Sequence, residues 1–275
     1  MSATDWGIPE AQRPARPSGT MAGFRVQFRV IHALILREMQ TRFGRSRLGF
    51  LALIAEPLIF GAMIATLRWA IDIGRTVPGV SIFVFALVSY LPFMTFRAIV
   101  SRAPGTVRSN VTLLYHAPIR LLDVVLARHA LEAGAVISAM AVVVIGVMIW
   151  GNVTPYSVPL LLVAMVLLFF YSHGLGLVCA AAAARWKVVG ALIHPLLYIS
   201  LPLSGAIIAL QMLDPQIREI LLWNPQVSIH EMVREGFFGD RMASYYDVGY
   251  LLFWTGLLNL LGLAGLRVVR PRLEL

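Results

Sequence analysis

The chain has 275 residues, 59% of them hydrophobic and 13% charged, with a mean hydropathy of +0.78, whereas about a quarter of the residues in an ordinary soluble domain are charged. Long apolar runs replace the amphipathic pattern that water imposes on surface helices, which excludes a soluble globular fold and predicts an all-α integral membrane protein. The basic excess is 22 arginines and a single lysine, Lys187; it sits in "ARWKVVG", without the glycines and hydroxyl of G-x-x-x-x-G-K-[ST], so any nucleotide energy has to come from a partner.

Residues 1–22 are Pro-rich without an apolar core segment, and they are expected to form a disordered cytoplasmic tail rather than a signal peptide or a helix. In the following 24–43 segment, Phe24, Phe28, Ile31, Ile35 and Met39 recur at helical spacing while Arg25, Arg29 and Arg37 fall off that stripe. An amphipathic helix lying in the membrane interface is the expectation.

Six segments have the length and apolarity of spans: 48–67, 80–96, 133–150, 158–184, 188–210 and 248–269. Taking loops alternately, eighteen of the 23 positive residues fall on the side that holds both termini; the other side has Arg68, Arg75, Arg218, Arg234 and Arg241. The positive-inside rule then places both termini in the cytoplasm. Four arginines, Arg37, Arg42, Arg45 and Arg47, crowd the cytoplasmic edge of the first span. Glu56 lies about 12 Å into it at 1.5 Å per residue. A carboxylate there must face protein, water or a cationic partner.

Cys179 is the only cysteine, which excludes an intrachain disulfide and a thiolate zinc cluster and reads as a small buried hydrophobe. His173 and His194 fall inside spans without acidic neighbours, which suits polar packing better than a metal. Ser172, Gly176, Ala180 and Ala184 form a small-residue stripe for close helix packing within the subunit. In the external stretch 211–248, Asp214-Pro215 and Asn224-Pro225 each place an N-cap before a proline, predicting two short helices that dip back against the membrane protein. Glu231, Glu235, Asp240 and Asp247, with Arg234 and Arg241, read as a solvated helix face. Trp69, Tyr90, Trp223, Phe237, Phe238, Tyr245 and Tyr246 are expected near the external face, as an interfacial belt or as stacking surfaces for sugars.

The order "LILREMQTRFGRSRLGFLALIAEPL", "SNVTLLYHAPIRLLDVVLA" and "WNPQVSIHEMVREGFF" resembles the membrane subunits of type 2 ABC exporters, and above all the permeases that export capsular polysaccharide in Gram-negative bacteria. The resemblance covers roughly residues 24–269, within a transmembrane domain taken as 23–275. It implies a homodimer of six-span subunits in the inner membrane. Two cytoplasmic ABC ATPase subunits would bind ATP and magnesium, this chain holding no cofactor, catalytic residue or metal. It also implies a coupling helix at about 110–116, carrying Asn110, Leu113, Leu114, Tyr115 and His116, and external gate helices at about 215–237. Its substrate would be a lipid-linked polysaccharide moving along a conduit lined by the first and fifth spans. Arg37, Arg42, Arg45 and Arg47 would form the entrance, with Glu56, Trp69, Tyr90, Trp223, Phe237 and Phe238 further along the path. Membrane lipids and periplasmic and outer-membrane export proteins are the other implied partners; nucleic acid is not.

Other readings share parts of this pattern. O-antigen and small-molecule type 2 exporters have the same topology. An intramembrane glycosyl or phosphoglycosyl transferase would want paired carboxylates or a metal cluster at a membrane face, whereas Glu38, Asp123 and Glu132 are separated in sequence. A secondary transporter would want several intramembrane ionisable groups or internal repeats, and the sequence offers one acidic residue and no repeat.

Overall fold

The computed structural model describes residues 20–43, 47–70, 79–109, 120–151 and 154–269. They form nine α-helices: α1 (Thr20–Phe43), α2 (Arg47–Ala70), α3 (Ile82–Ser109), α4 (Leu121–Gly151), α5 (Val158–Arg185), α6 (Lys187–Leu203), α7 (Pro215–Leu222), α8 (Pro225–Phe238) and α9 (Val248–Val269). Short 3-10 turns at Leu210–Met212 and Gly239–Arg241 flank α7 and α8, and no strand occurs among the described residues. Helix α1 starts at Thr20, so the last three residues of the expected tail are helical.

Four helices are long and apolar enough to cross a membrane: 82–107 in α3, 121–149 in α4, 158–185 in α5 and 248–269 in α9. The chain is thus a multi-pass membrane protein. Helix α2 is 24 residues long and carries Glu56 and Arg68. Helix α6 has only 17 residues, and the expected 188–210 span breaks off at Leu203. Two internal prolines, Pro195 and Pro202, weaken its backbone ladder, and Gly205 at φ +76° turns the chain out of the helix.

Helices α3 and α5 occupy the centre. Phe85, Leu91, Phe93 and Ile99 of α3 and Ala164, Leu168 and Leu177 of α5 are almost wholly buried. Around them, α2 and α4 pack on α3, α8 and α9 pack on α5, and α1 lies against α4. Close approach of α5 and α9 depends on glycines. A Cβ on Gly174 would stand 2.8 Å from the Asn259 backbone nitrogen, and one on Gly262 would stand 3.1 Å from the Gly174 oxygen. Asn259 adds an interhelical hydrogen bond, its Nδ2 donating to the Phe170 carbonyl at 2.9 Å. The predicted stripe at Ser172, Gly176 and Ala180 is buried as expected, but Gly176 faces Ile99 of α3 and His129 of α4 rather than α9.

Proline-initiated starts shape the external helices. Asn224 caps α8 by accepting from the Gln226 nitrogen at 3.1 Å, with Pro225 at the first position. Asp214 precedes α7 in the same way, but its side chain makes no capping bond. Helix α8 is buried along almost its whole length, whereas α7 buries no residue.

Candidate functional site

One end of the molecule is organised around α1, α3 and α4. On α1, Leu34 is buried between Val124 and Ala127 of α4, with Val30, Ile31 and Ile35 beside it; Met39 joins Leu131 and Ala135 one step further along. Two polar contacts pin the same seam. Gln27 Nε2 donates to Asp123 Oδ1 at 2.7 Å, and Arg128 Nε meets Glu38 Oε1 at 3.2 Å. Arg128 also donates to the Thr106 hydroxyl at 3.3 Å, which ties α4 to the end of α3. The predicted apolar stripe therefore divides: Ile31, Ile35 and Met39 pack on α4, while Phe24 and Phe28 remain 70% and 73% exposed beside Arg25 and Arg29. Exposed rings next to arginines on an interfacial helix suit a lipid surface.

Of the four arginines expected at the entrance, Arg37 is exposed on α1. Arg42 lies in the last turn of α1 and Arg47 opens α2, while Arg45 is outside the described residues. The expected coupling segment 110–116, with Asn110, Leu113, Leu114, Tyr115 and His116, also lies outside them. It connects Ser109, the end of α3, to the α4 start that α1 holds.

Deeper along α2, Glu56 lines a cavity of about 90 Å³ with Pro57, Arg97, Ser101, Arg102 and Glu132. Arg102 Nε and Glu132 Oε1 are 3.2 Å apart across α3 and α4. Glu56 itself remains exposed while lining this cavity.

The structure does not gather the six aromatic and acidic path candidates into one lining. Trp69 and Trp223 are exposed at 68% and 81%, whereas Tyr90, Phe237 and Phe238 are buried in the core. Phe238 stacks on Phe85 at a centroid distance of 5.9 Å, and Phe237 meets Phe238 edge to face. Their apolar rings close the junction of α8 with α3. Tyr245 and Tyr246 instead join Trp223, Tyr250, Glu219 and Asp247 around an open groove of about 580 Å³. Arg218 stacks over Tyr245, 4.1 Å from its centroid, and the Tyr250 hydroxyl donates to the Trp223 carbonyl at 2.7 Å.

A buried polar node beneath this groove corrects the expected solvated face on α8. Glu231 and Arg234 are fully buried and form an ion pair one turn apart. Arg234 Nη1 donates to the Gly205 carbonyl at 2.7 Å, and Glu231 Oε1 accepts from the Leu210 nitrogen at 3.2 Å. Arg68, arriving from the end of α2, donates to the Ile207 carbonyl and lies 4.7 Å over the Phe85 ring. These groups satisfy the non-helical 204–210 backbone, which would otherwise be costly to bury. Of the remaining residues read as that face, Asp240, Arg241 and Asp247 are exposed as expected, and Glu235 is half-buried.

Next to the pair, His230 is also buried, and its Nδ1 lies 2.9 Å from the Gln226 carbonyl. Burial pushes His230 down to about 3, partly opposed by the Gln226 bond and helped to a lesser degree by the Arg234 charge. It is neutral at physiological pH. A second histidine contact joins α4 to α5: His129 Nδ1 and His173 Nδ1 are 2.8 Å apart in a buried site, with Phe169 stacked on His173. His194 is exposed. No cluster of three metal-ligating side chains occurs among the described residues.

A helix docked beside the junction of two long helices, an apolar helical bundle and a pair of proline-started short helices together make a multi-pass membrane domain. The chain belongs to the ABC-2 type transporter family, whose description matches residues 29–238. It is 36% identical over 239 residues to the capsule polysaccharide export inner-membrane protein BexB of Haemophilus influenzae, covering 86% of this chain and 90% of that protein. Similarity to the capsule polysaccharide export inner-membrane protein CtrC of Neisseria meningitidis serogroup B is also 36%, over 240 residues, 87% of this chain and 90% of the relative. The polysialic acid transport protein KpsM of Escherichia coli is 31% identical over 248 residues, 88% of this chain and 94% of the relative. The chain is accordingly a transmembrane subunit of a type 2 ABC exporter.

Proposed function

We propose that two copies of this chain, each with six spans and cytoplasmic termini, form the inner-membrane conduit through which a lipid-linked capsular polysaccharide leaves the cytoplasm. The observation that carries this reading is similarity along about nine-tenths of the length of relatives named for capsule polysaccharide export. In it α2 and α6 complete the six spans, α2 as the first and α6 as the fifth in chain order. Two separate ATPase subunits bind ATP and magnesium and press on the 110–116 segment.

The contacts described above give that push a route. Asp123, Arg128, Thr106 and Ser109 border the two ends of the coupling segment, and α1 is fastened to the same corner by Gln27 and Glu38. Movement of the segment thus carries α1, α3 and α4 together. Arg37, Arg42, Arg45 and Arg47 are the arginines that an anionic lipid-linked head would meet on entry, and α8, packed against the bundle, would flank the exit together with α7. Arg in particular suits phosphate and carboxylate because its planar fork binds them in bidentate fashion. Periplasmic and outer-membrane export proteins would receive the polymer beyond the exit.

Deletion of the gene tests the substrate: polymer with its lipid end attached should accumulate in the cytoplasm and disappear from the surface. Co-purification tests the energy source. A chain that neither binds nor stimulates an ABC ATPase, while a proton or sodium gradient drives transport, would refute the reading.

A further inference from the structure

Arg97 differs from the described arginines that meet a carbonyl or carboxylate oxygen. Arg68 and Arg234 are engaged by the carbonyls of the 204–210 segment, Arg102 by Glu132, Arg128 by Glu38, and Arg218 by the carbonyls of Leu210 and Leu213. Arg97 has no carboxylate within ion-pair distance among the described residues. It sits near the middle of α3, fifteen residues from the Ile82 end and twelve from the Ser109 end. Its guanidinium carbon lies 5.8 Å from the ring centroid of Phe60 on α2 and 5.5 Å from that of Tyr198 on α6. Tyr90, two turns earlier on the same helix, interacts with it through its hydroxyl.

The surroundings are open on one side. Tyr198 is 66% exposed, and Arg97 itself is half-buried at the mouth of the small cavity that it shares with Glu56. A guanidinium held by two ring faces on a candidate span is half-satisfied: its in-plane N–H donors meet no carboxylate among the described residues, and such charges characteristically line a path. We propose that Arg97, near the middle of α3, is a subsite for anionic groups, carboxylate or phosphate, of the transported polymer, with Phe60 and Tyr198 presenting ring faces to the sugars beside them. This rests on the export reading above, in which α2 and α6 border the conduit. Glu56 lines the same cavity and opposes a bound anion, which keeps the hold weak. A conduit needs that, because binding must be strong enough to admit the polymer and weak enough to release it.

Anionic lipid headgroups offer the same chemistry, so the test separates the two sources. The complete complex with its ATPase is reconstituted in vesicles of phosphatidylcholine alone and of phosphatidylcholine with phosphatidylglycerol. It is given a lipid-linked oligosaccharide whose carboxylates are either free or methyl-esterified. The wild-type complex should bind and move the free acid in preference to the ester, R97Q should lower that ratio by about tenfold or more, and E56Q should raise retention of the acid. R97K keeps the charge without the planar fork and should fall between; it carries the test if R97Q does not elute as an intact complex. A variant that moves both probes with the wild-type ratio overturns the subsite and leaves the export reading standing. A loss of ratio confined to vesicles with phosphatidylglycerol assigns Arg97 to lipid and overturns it too. A wild-type complex that moves neither probe defeats the export reading and the subsite together.

Discussion

His129 and His173 share one proton-mediated contact, Nδ1 to Nδ1 at 2.8 Å, across the packed faces of α4 and α5. One ring must donate and the other accept, so the pair fixes complementary tautomers. Replacing either histidine by phenylalanine leaves the other ring's polar atom buried without its partner, which costs about 1–3 kcal/mol. The H129F/H173F double variant should lose less than the two single losses combined. Thermal unfolding in detergent measures the cycle; simple additivity would show that the contact contributes nothing.

The Glu231–Arg234 pair is expected to be far more sensitive to removal of one member than of both. E231A strands a guanidinium in the interior and R234A strands a carboxylate, each at about 3–5 kcal/mol. Joint replacement by methionines should recover much of that loss. Because both residues also bond the 204–210 backbone, limited proteolysis should cut there in either single variant before it cuts elsewhere.

Acid should weaken the same region through His230. Its pKa in the folded protein is about 3, against an ordinary value near 6.5. The unfolded state therefore takes up the proton first, and the contribution is complete above pH 6.5 and lost as pH falls towards 3. Melting temperature measured between pH 7 and pH 4 should drop for the wild type by an amount corresponding to about 3 kcal/mol. H230Q, which does not titrate, should show a shallower slope.

Glycines divide by what a methyl group would meet. G174A brings a Cβ to 2.8 Å from the Asn259 backbone and G236A to 2.9 Å from the Leu161 nitrogen, so both should lower stability by about 1–3 kcal/mol. Gly256 on α9 has nothing within 4 Å, and G256A should be neutral or gain up to about 1 kcal/mol from helix propensity.

The α1 seam offers a test of coupling. Reversing one charge, as in E38R or R128E, should loosen α1 from α4 and lower polymer-stimulated ATPase activity several-fold. The E38R/R128E exchange should restore part of it. Equal activity in all three variants would show that α1 takes no part in transmission.

Much of this arrangement was legible in residue order. The two prolines behind Asp214 and Asn224 announced α7 and α8, and the arginine count grouped Arg68 with Arg234. The structure brings those two to neighbouring carbonyls, Ile207 and Gly205. The end of α6 was also signalled, by Pro202 and Gly205, though apolarity through Leu210 masked it. What could not be read was the inside of α8. Glu231 and Arg234 carry the hydropathy of surface residues, and only a chain reversal that delivers the Leu210 nitrogen and the Gly205 carbonyl makes burial affordable. His129 and His173 are 44 positions apart and belong to different helices. Phe237 and Phe238 sat in an external stretch where rings suit a sugar path equally well, and their partner Phe85 comes from α3.

Helix α8 has a mechanical consequence for how the exit can open. Swinging it away from α5 would expose Glu231, Arg234, His230, Phe237 and Phe238 at once and strip the 204–210 backbone of the Arg234 donor at Gly205 and the Glu231 acceptor at the Leu210 nitrogen. Its fastening makes a hinged flap at this end costly, and in the proposed dimer it favours sliding or rocking one whole subunit against the other. On the dimer reading proposed above, widening for a passing polymer would be a displacement between protomers, with α8 carried as cargo on α5.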